Sequence, residues 1–185
     1  MAETSKIKQY FKKCFDKKLL LQKGIIALCA LVLVLVMSLS FYFWLKDGIE
    51  AKPNSFWYIN VIWNKGMGFS MLEGNFAAIY ALQSVMFVLL LAIYLLVTHD
   101  KISASFIALA MFGGLFNLIQ RACAPIEHAN CVLDYFCFGF MDFAIFNWPD
   151  MFVVIGIFGF VISYITITII DIVKEDKASK VKNEH

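Results

Sequence analysis

The chain alternates long uncharged stretches with short polar ones. A helix that crosses a bilayer needs about 20 mainly apolar residues at about 1.5 Å each, and four stretches qualify. Gly24 to Leu45 carries no charge, and Phe76 to Val97 has Gln83 as its most polar member. Ser103 to Ile119 is shorter and contains Gly113, Gly114 and Asn117, and Met151 to Ile170 is again uncharged. In lipid every backbone N–H and C=O must bond internally, so these runs read as helices and not strands. The first run is longer than the apolar core of a cleaved leader and is followed by Lys46-Asp47-Gly48, so it reads as a retained helix. The pattern predicts an all-α integral membrane protein with one unit over 24–172. Its spans lie at about 24–45, 76–97, 103–119 and 151–170, flanked by a basic segment 1–23 and a tail 173–185.

Composition agrees with the pattern. Of 185 residues 61% are apolar and 16% charged, against about 45–50% and about 25% in soluble domains. That excludes a soluble domain, and a disordered chain would lack the aromatics. The net charge of +2 is too small to point to nucleic acid. The placement of the charges says more. Twelve lysines lie in 1–23, in the tail and at Lys101, whereas Lys46, Lys52, Lys65 and Arg121 lie on the other side. By the positive-inside rule both termini face the cytoplasm of a multi-pass cell-membrane protein, and 46–75 and 120–150 face outward. Apolar residues interleave the lysines of 1–23. They suggest an interfacial helix against anionic lipid, with a solvated charge run as the alternative.

Two outer segments break the apolar pattern. In 46–75, Phe56 to Trp63 is aromatic and β-branched and reads as a strand or an interfacial segment. It leads into Asn64-Lys65-Gly66-Met67-Gly68-Phe69-Ser70, where Gly66 and Gly68 permit positive φ or close approach, and where a plain surface turn is the simpler reading. The second segment runs from Gly113 to Asp150. Asn117 and Arg121 share a helix face. Asp134 sits in an apolar frame, as does its rival Asp142, and the residues alone do not choose between them. Asp150 follows Phe146-Asn147-Trp148-Pro149 at the start of the fourth span, where capping would account for it. Yet carboxylates at membrane depth are costly and tend to be functional.

Two close carboxyls cannot both ionise readily, so such a pair holds one proton near neutral pH. The ionised member can take a proton from water, and the protonated one can polarise a carbonyl and later protonate the leaving amine. This chemistry calls for no cofactor and no metal. A multi-His metal site has too few ligands in His99, His128 and His185. A cysteine nucleophile would have to use Cys123, Cys131 or Cys137 with His128.

The chain resembles bacterial lipoprotein signal peptidase, the signal peptidase II family. Four motifs carry the resemblance: Asn64-Lys65-Gly66-Met67-Gly68-Phe69-Ser70, the end of a Gly-rich helix at Asn117-Leu118-Ile119-Gln120-Arg121, Val132-Leu133-Asp134-Tyr135, and Phe146-Asn147-Trp148-Pro149-Asp150. The resemblance implies four helices with a small extracytoplasmic β-cradle. It implies an aspartic endopeptidase that removes signal peptides from diacylglyceryl-modified prolipoproteins by cutting before the lipidated Cys. It assigns catalysis to Asp134 and Asp150, in preference to Asp142, and substrate binding or support to Asn64, Gly66, Asn117, Arg121 and Asn147. The implied partners are lipid-modified prolipoprotein signal peptides and membrane lipids, around a monomer. The chain departs from the family at Met37-Ser38-Leu39-Ser40-Phe41, which lacks the usual Asp and Lys of the first helix. It also departs at Phe116, Gln120 and Pro149, and in a longer stretch from Arg121 to Asp134. The competing expectations are a non-enzymatic membrane assembly protein or an inactive paralogue, with Asp134 and Asp150 far apart, and a small transporter.

Overall fold

The structure is a computed structural model that describes residues 14–49, 56–68, 71–139 and 145–183. Each long helix begins where a short polar side chain takes up free backbone N–H groups. Asp16 accepts from Lys18 and Leu19 at 3.0 Å and opens α1, Lys17–Leu45. Asn75 accepts from Ala78 and opens α2, Phe76–Leu96. Asp100 accepts from Ser103 at 2.7 Å and opens α3, Lys101–Ala122. Asn147 accepts from Asp150 and opens α4, Trp148–Asn183. All four are long and apolar enough to cross a membrane, the fourth through Lys174. α4 runs on in one piece through the stretch that the sequence suggests as a tail.

The bundle is built around α3. Half of its apolar window is buried, against 17% in α1, 11% in α2 and 6% in α4. α3 packs on the other three helices, most extensively on α4. Its small residues Ala104, Ala108 and Ala110 are almost fully buried. Close approach to α4 rests on missing side chains. A Cβ on Gly113 would stand 2.6 Å from the Pro149 carbonyl oxygen, and one on Gly156 would stand 2.5 Å from that of Phe106. Of the adjacent Gly113 and Gly114, only Gly113 makes such a contact; a Cβ on Gly114 would stand 3.9 Å from Val153. Pro149 fits because the first turn of a helix has no use for its missing N–H.

Lys23 differs from the solvated role its neighbours suggest. It is 2% exposed, and its ammonium donates to the Leu95 carbonyl at 2.9 Å. The Tyr94 hydroxyl in turn donates to the Lys23 carbonyl. A cation is thereby set on a main-chain carbonyl in the last turn of α2.

The aromatic segment Phe56 to Trp63 does form a strand. β1, Trp57–Asn64, pairs antiparallel with β2, Val132–Phe138, with an irregularity between Ile59 and Ile62. A strand alternates its faces. Leu133 and Tyr135 point into a cluster with Leu45 at the end of α1, where Phe41 stacks on Tyr135. Val132, Asp134 and Phe138 face the opposite way, with Ile62 and Asn64, and line a cavity. Most of the proposed N-terminal interfacial helix lies outside the described residues, as do Phe69, Ser70 and Asp142.

The glycine contacts predict an asymmetry. Gly156→Val should destabilise the protein by about 1–3 kcal/mol through overpacking against α3. Gly24→Val, with nothing within 4 Å of its Cβ position, should not. Thermal unfolding in detergent reads both.

Candidate active site

The site forms where β2, the end of α3 and the start of α4 converge, and Asn147 is its centre. Its Oδ1 accepts the Asp150 backbone N–H at 2.9 Å, and its own backbone N–H donates to Asp150 Oδ2 at 3.2 Å. This reciprocal pair is a capping box built from Asn and Asp. The capping explanation of Asp150 is therefore correct, and it also fixes where the carboxyl points. The Nδ2 of Asn147 is left to donate elsewhere. It lies 2.7 Å from Asp134 Oδ1, 3.1 Å from Asn117 Oδ1 and 3.4 Å from the Leu133 carbonyl. One residue thus touches both carboxyls.

Each carboxyl has a second amide donor. Asn64 Nδ2 donates to Asp134 Oδ2 at 2.8 Å. The register explains this: Asn64 opposes Val132 and Ile62 opposes Asp134, so Asn64 and Asp134 are diagonal neighbours on one face. Asn117 Nδ2, one helical turn before the end of α3, donates to Asp150 Oδ1 at 2.7 Å. Asn64 also accepts the Gly66 N–H through its Oδ1 at 2.7 Å, closing a turn of the predicted kind. Among the described glycines the positive φ values fall at Gly48 and Gly74, and Gly66 contributes through its main chain.

Arg121 shares the face of Asn117 and is 3% exposed. Its guanidinium donates to the carbonyls of Gly66 and Asn130 at 2.7 Å and of Asn64 at 3.3 Å. It ties the β1 turn to the loop before β2. The other half of this clamp carries no mark in the residue pattern. Asn130 holds a left-handed φ of 62° and accepts a hydrogen bond from the Tyr80 hydroxyl. Tyr135, which the motif names without a role, accepts the Trp148 N–H through its hydroxyl at 3.2 Å.

Asp134, Asp150, Asn64, Gly66, Asn117 and Arg121 all line one cavity of about 610 Å³. Asp134 is 2% exposed. Burial, and then the charge of Asp150, push its carboxyl well above the ordinary 3.8, while the bonds from Asn64 and Asn147 and the charge of Arg121 partly offset them. The other walls are apolar, with Ile62, Val132, Phe146 and Met151 among them. His128 lies flat on Trp63 at 4.2 Å, and the buried Cys131 thiol, pushed up by burial, turns to the Ala129 carbonyl. Cys123, Cys131 and Cys137 are all free thiols. Among the described residues no three His, Cys, Asp or Glu side chains gather as metal ligands.

Comparisons with known proteins bear on the family and the fold. The family model described as signal peptidase (SPase) II matches residues 28–166. A lipoprotein signal peptidase of Mycoplasmoides gallisepticum is 33% identical over 175 residues, covering 90% of this chain and 57% of the relative. One of Malacoplasma penetrans is 33% identical over 190 residues, covering 94% and 76%. The chain thus spans little more than half of the first relative and about three quarters of the second. The fold is similar to that of a bacterial membrane enzyme solved by the in meso method at 2.3 Å, with a TM-score of 0.67, 19% identity and coverage of 77% of this chain and 88% of that one. With its motifs in order and a family model spanning most of its length, the chain belongs to the signal peptidase II family.

Proposed function

We propose that the chain is an aspartic endopeptidase of the cell membrane that removes signal peptides from prolipoproteins, cutting before a diacylglyceryl-modified Cys. The observation that carries this reading is Asn147 bonded to both Asp134 and Asp150 at the wall of one apolar-lined cavity. The pair holds one proton. The ionised carboxyl takes a proton from water as the oxygen attacks the scissile carbonyl, and the protonated one donates to that carbonyl oxygen. Collapse of the tetrahedral species breaks the C–N bond, and a carboxyl proton passes to the leaving amine. Low dielectric around the cavity strengthens the coupling.

The amides of Asn64, Asn117 and Asn147 hold the carboxyls by donating to them, and Arg121 holds the turn that carries Asn64 and Gly66. Positioning of this kind does not draw on the polar residues missing from α1, where Ser38 is buried. The peptidase unit is 24–172, with 1–23 and 173–185 as cytoplasmic ends. The site opens to the extracytoplasmic face, membrane lipid surrounds the bundle, and the enzyme acts as a monomer. The assembly-protein alternative requires separated carboxyls, a requirement that a shared bridging residue does not meet.

In detergent with a lipidated prolipoprotein, Asp134→Asn and Asp150→Asn should each lower the cleavage rate by about 10³-fold; wild-type rates in either variant would sink the dyad. The rate should depend on pH as a bell, because both limbs remove the singly protonated pair. Its alkaline limb should lie well above ordinary carboxyl values, since Asp134 keeps its proton past 3.8. Stability carries the same sign. The folded state binds this proton more tightly than the unfolded chain, so stability should fall as pH rises from about 3.8 through the raised value. Asp134→Asn should flatten that slope in thermal unfolding. Asn147→Ala should cost about 2–3 kcal/mol of stability by opening the capping box and freeing both carboxyls, and activity should fall with it.

A further inference from the structure

One polar group faces the cavity without a task in the chemistry above. Gln83 is the most polar residue of α2, about 12 Å along the helix from its Asn75 cap. It recurs at helical spacing with Ile79, Leu90 and Tyr94, the three buried residues of α2, so it lies on the stripe turned toward the bundle. It lines the same cavity as Asp134 and Asp150. Its Oε1 is buried and has no hydrogen-bond partner among the described residues. A buried carbonyl oxygen without a donor is costly, more so within a membrane span. The clustered amides Asn64, Asn117 and Asn147 are all bonded within the protein. Gln83 is the amide left over.

We propose that Gln83 is a substrate-binding residue whose Oε1 accepts a main-chain N–H from the signal-peptide segment leading to the cleaved bond. The inference rests on the peptidase reading above. The partner's class follows from what Oε1 lacks, which is a donor. A glyceryl group esterified at both hydroxyls and joined to sulfur carries acceptors only. A peptide segment drawn out of helical form for cleavage has free N–H groups, and at this depth no water replaces their lost partners. The Nε2 of the same side chain is then turned to take the carbonyl of the neighbouring peptide unit, so Gln83 can hold an extended strand from the wall. In an apolar cavity one such bond discriminates strongly between a peptide and a chain lacking the N–H, because the orphaned oxygen stays buried.

The test uses the full-length protein in detergent and a diacylglyceryl lipopeptide, with Gln83→Met as the variant of similar length without the amide. Thermal unfolding should show Gln83→Met at least as stable as wild type, since it removes a polar group from a span. Its kcat/KM on the parent lipopeptide should fall about tenfold. A series of lipopeptides, each with one peptide N–H before the cleaved bond replaced by an ester oxygen, locates the partner. One replacement should cost the wild type about tenfold and cost Gln83→Met nothing further. Ether-linked chains in place of the acyl esters should leave the ratio between the two enzymes unchanged. Equal kcat/KM for both enzymes on the parent lipopeptide overturns the proposal and leaves the peptidase reading intact. So does a ratio that collapses with the ether lipid, which would transfer the contact to the ester carbonyls. A wild type that cleaves no lipopeptide overturns both.

Discussion

The site depends on a helix cap that has been given a second duty. Asn147 must satisfy the first turn of α4 whatever else it does, and its box with Asp150 is local, formed within four residues. That local closure leaves its Nδ2 aimed at β2, where Asp134 lies 2.7 Å away. The separation of the carboxyls is therefore set by the geometry of one residue and not by the relative drift of two elements. The rest of the outer structure keeps β2 in range. The Phe136–Phe146 bridge, the Tyr135 hydroxyl on the Trp148 N–H and the stack of Phe41 on Tyr135 all hold the sheet against the start of α4 and the end of α1.

Arg121 answers the corresponding question for β1. A guanidinium at the end of α3 would find carboxylates attractive, yet its hydrogen bonds go to three backbone carbonyls. Neutral amide N–H groups, not the cation, contact the carboxyls: the side chains of Asn64 and Asn147 on Asp134, and the Asn117 side chain with the Asn147 main chain on Asp150. Neutral donors hold a carboxylate in place without fixing its charge as firmly as a paired arginine would, and a carboxyl pair that shares a proton needs that freedom. Loop 123–131 is fastened to this clamp through Asn130 and Tyr80.

What was legible in the sequence divides along physical lines. The four helices were legible because burial in lipid demands uninterrupted apolar length, and the strand at Trp57–Asn64 because its residue types differ from those of the spans. Asn64, Asn117, Arg121, Asp134, Asn147 and Asp150 were legible as motifs; the structure brings them together, with all but the buried Asn147 lining one cavity. From the residues alone Asp134 and Asp142 could not be told apart, since both have apolar frames; only strand register puts Asp134 diagonal to Asn64. The buried role of Lys23 was illegible because its partner is a main-chain carbonyl, and main-chain groups leave no mark in a sequence. The same holds for Arg121, whose direction depends on where two loops fold back. Asn130 carried no signal, as its role comes from a left-handed φ and a tyrosine fifty positions away.

The half-buried state of α3 has a consequence for how the molecule is made. α1, α2 and α4 offer most of their apolar surface outward and can settle into lipid singly. α3 holds Gly113, Asn117 and Arg121 and exchanges much of its surface with protein. As a lone segment it would set an asparagine and an arginine in hydrocarbon without partners. The partners of Asn117 lie downstream, at the start of α4, and those of Arg121 lie on both sides of α3 in the chain, in the turn after β1 and in the loop before β2. Insertion of α3 is therefore a cooperative event, completed only when the residues that build the site have emerged, so that assembly of the bundle and assembly of the site are one step.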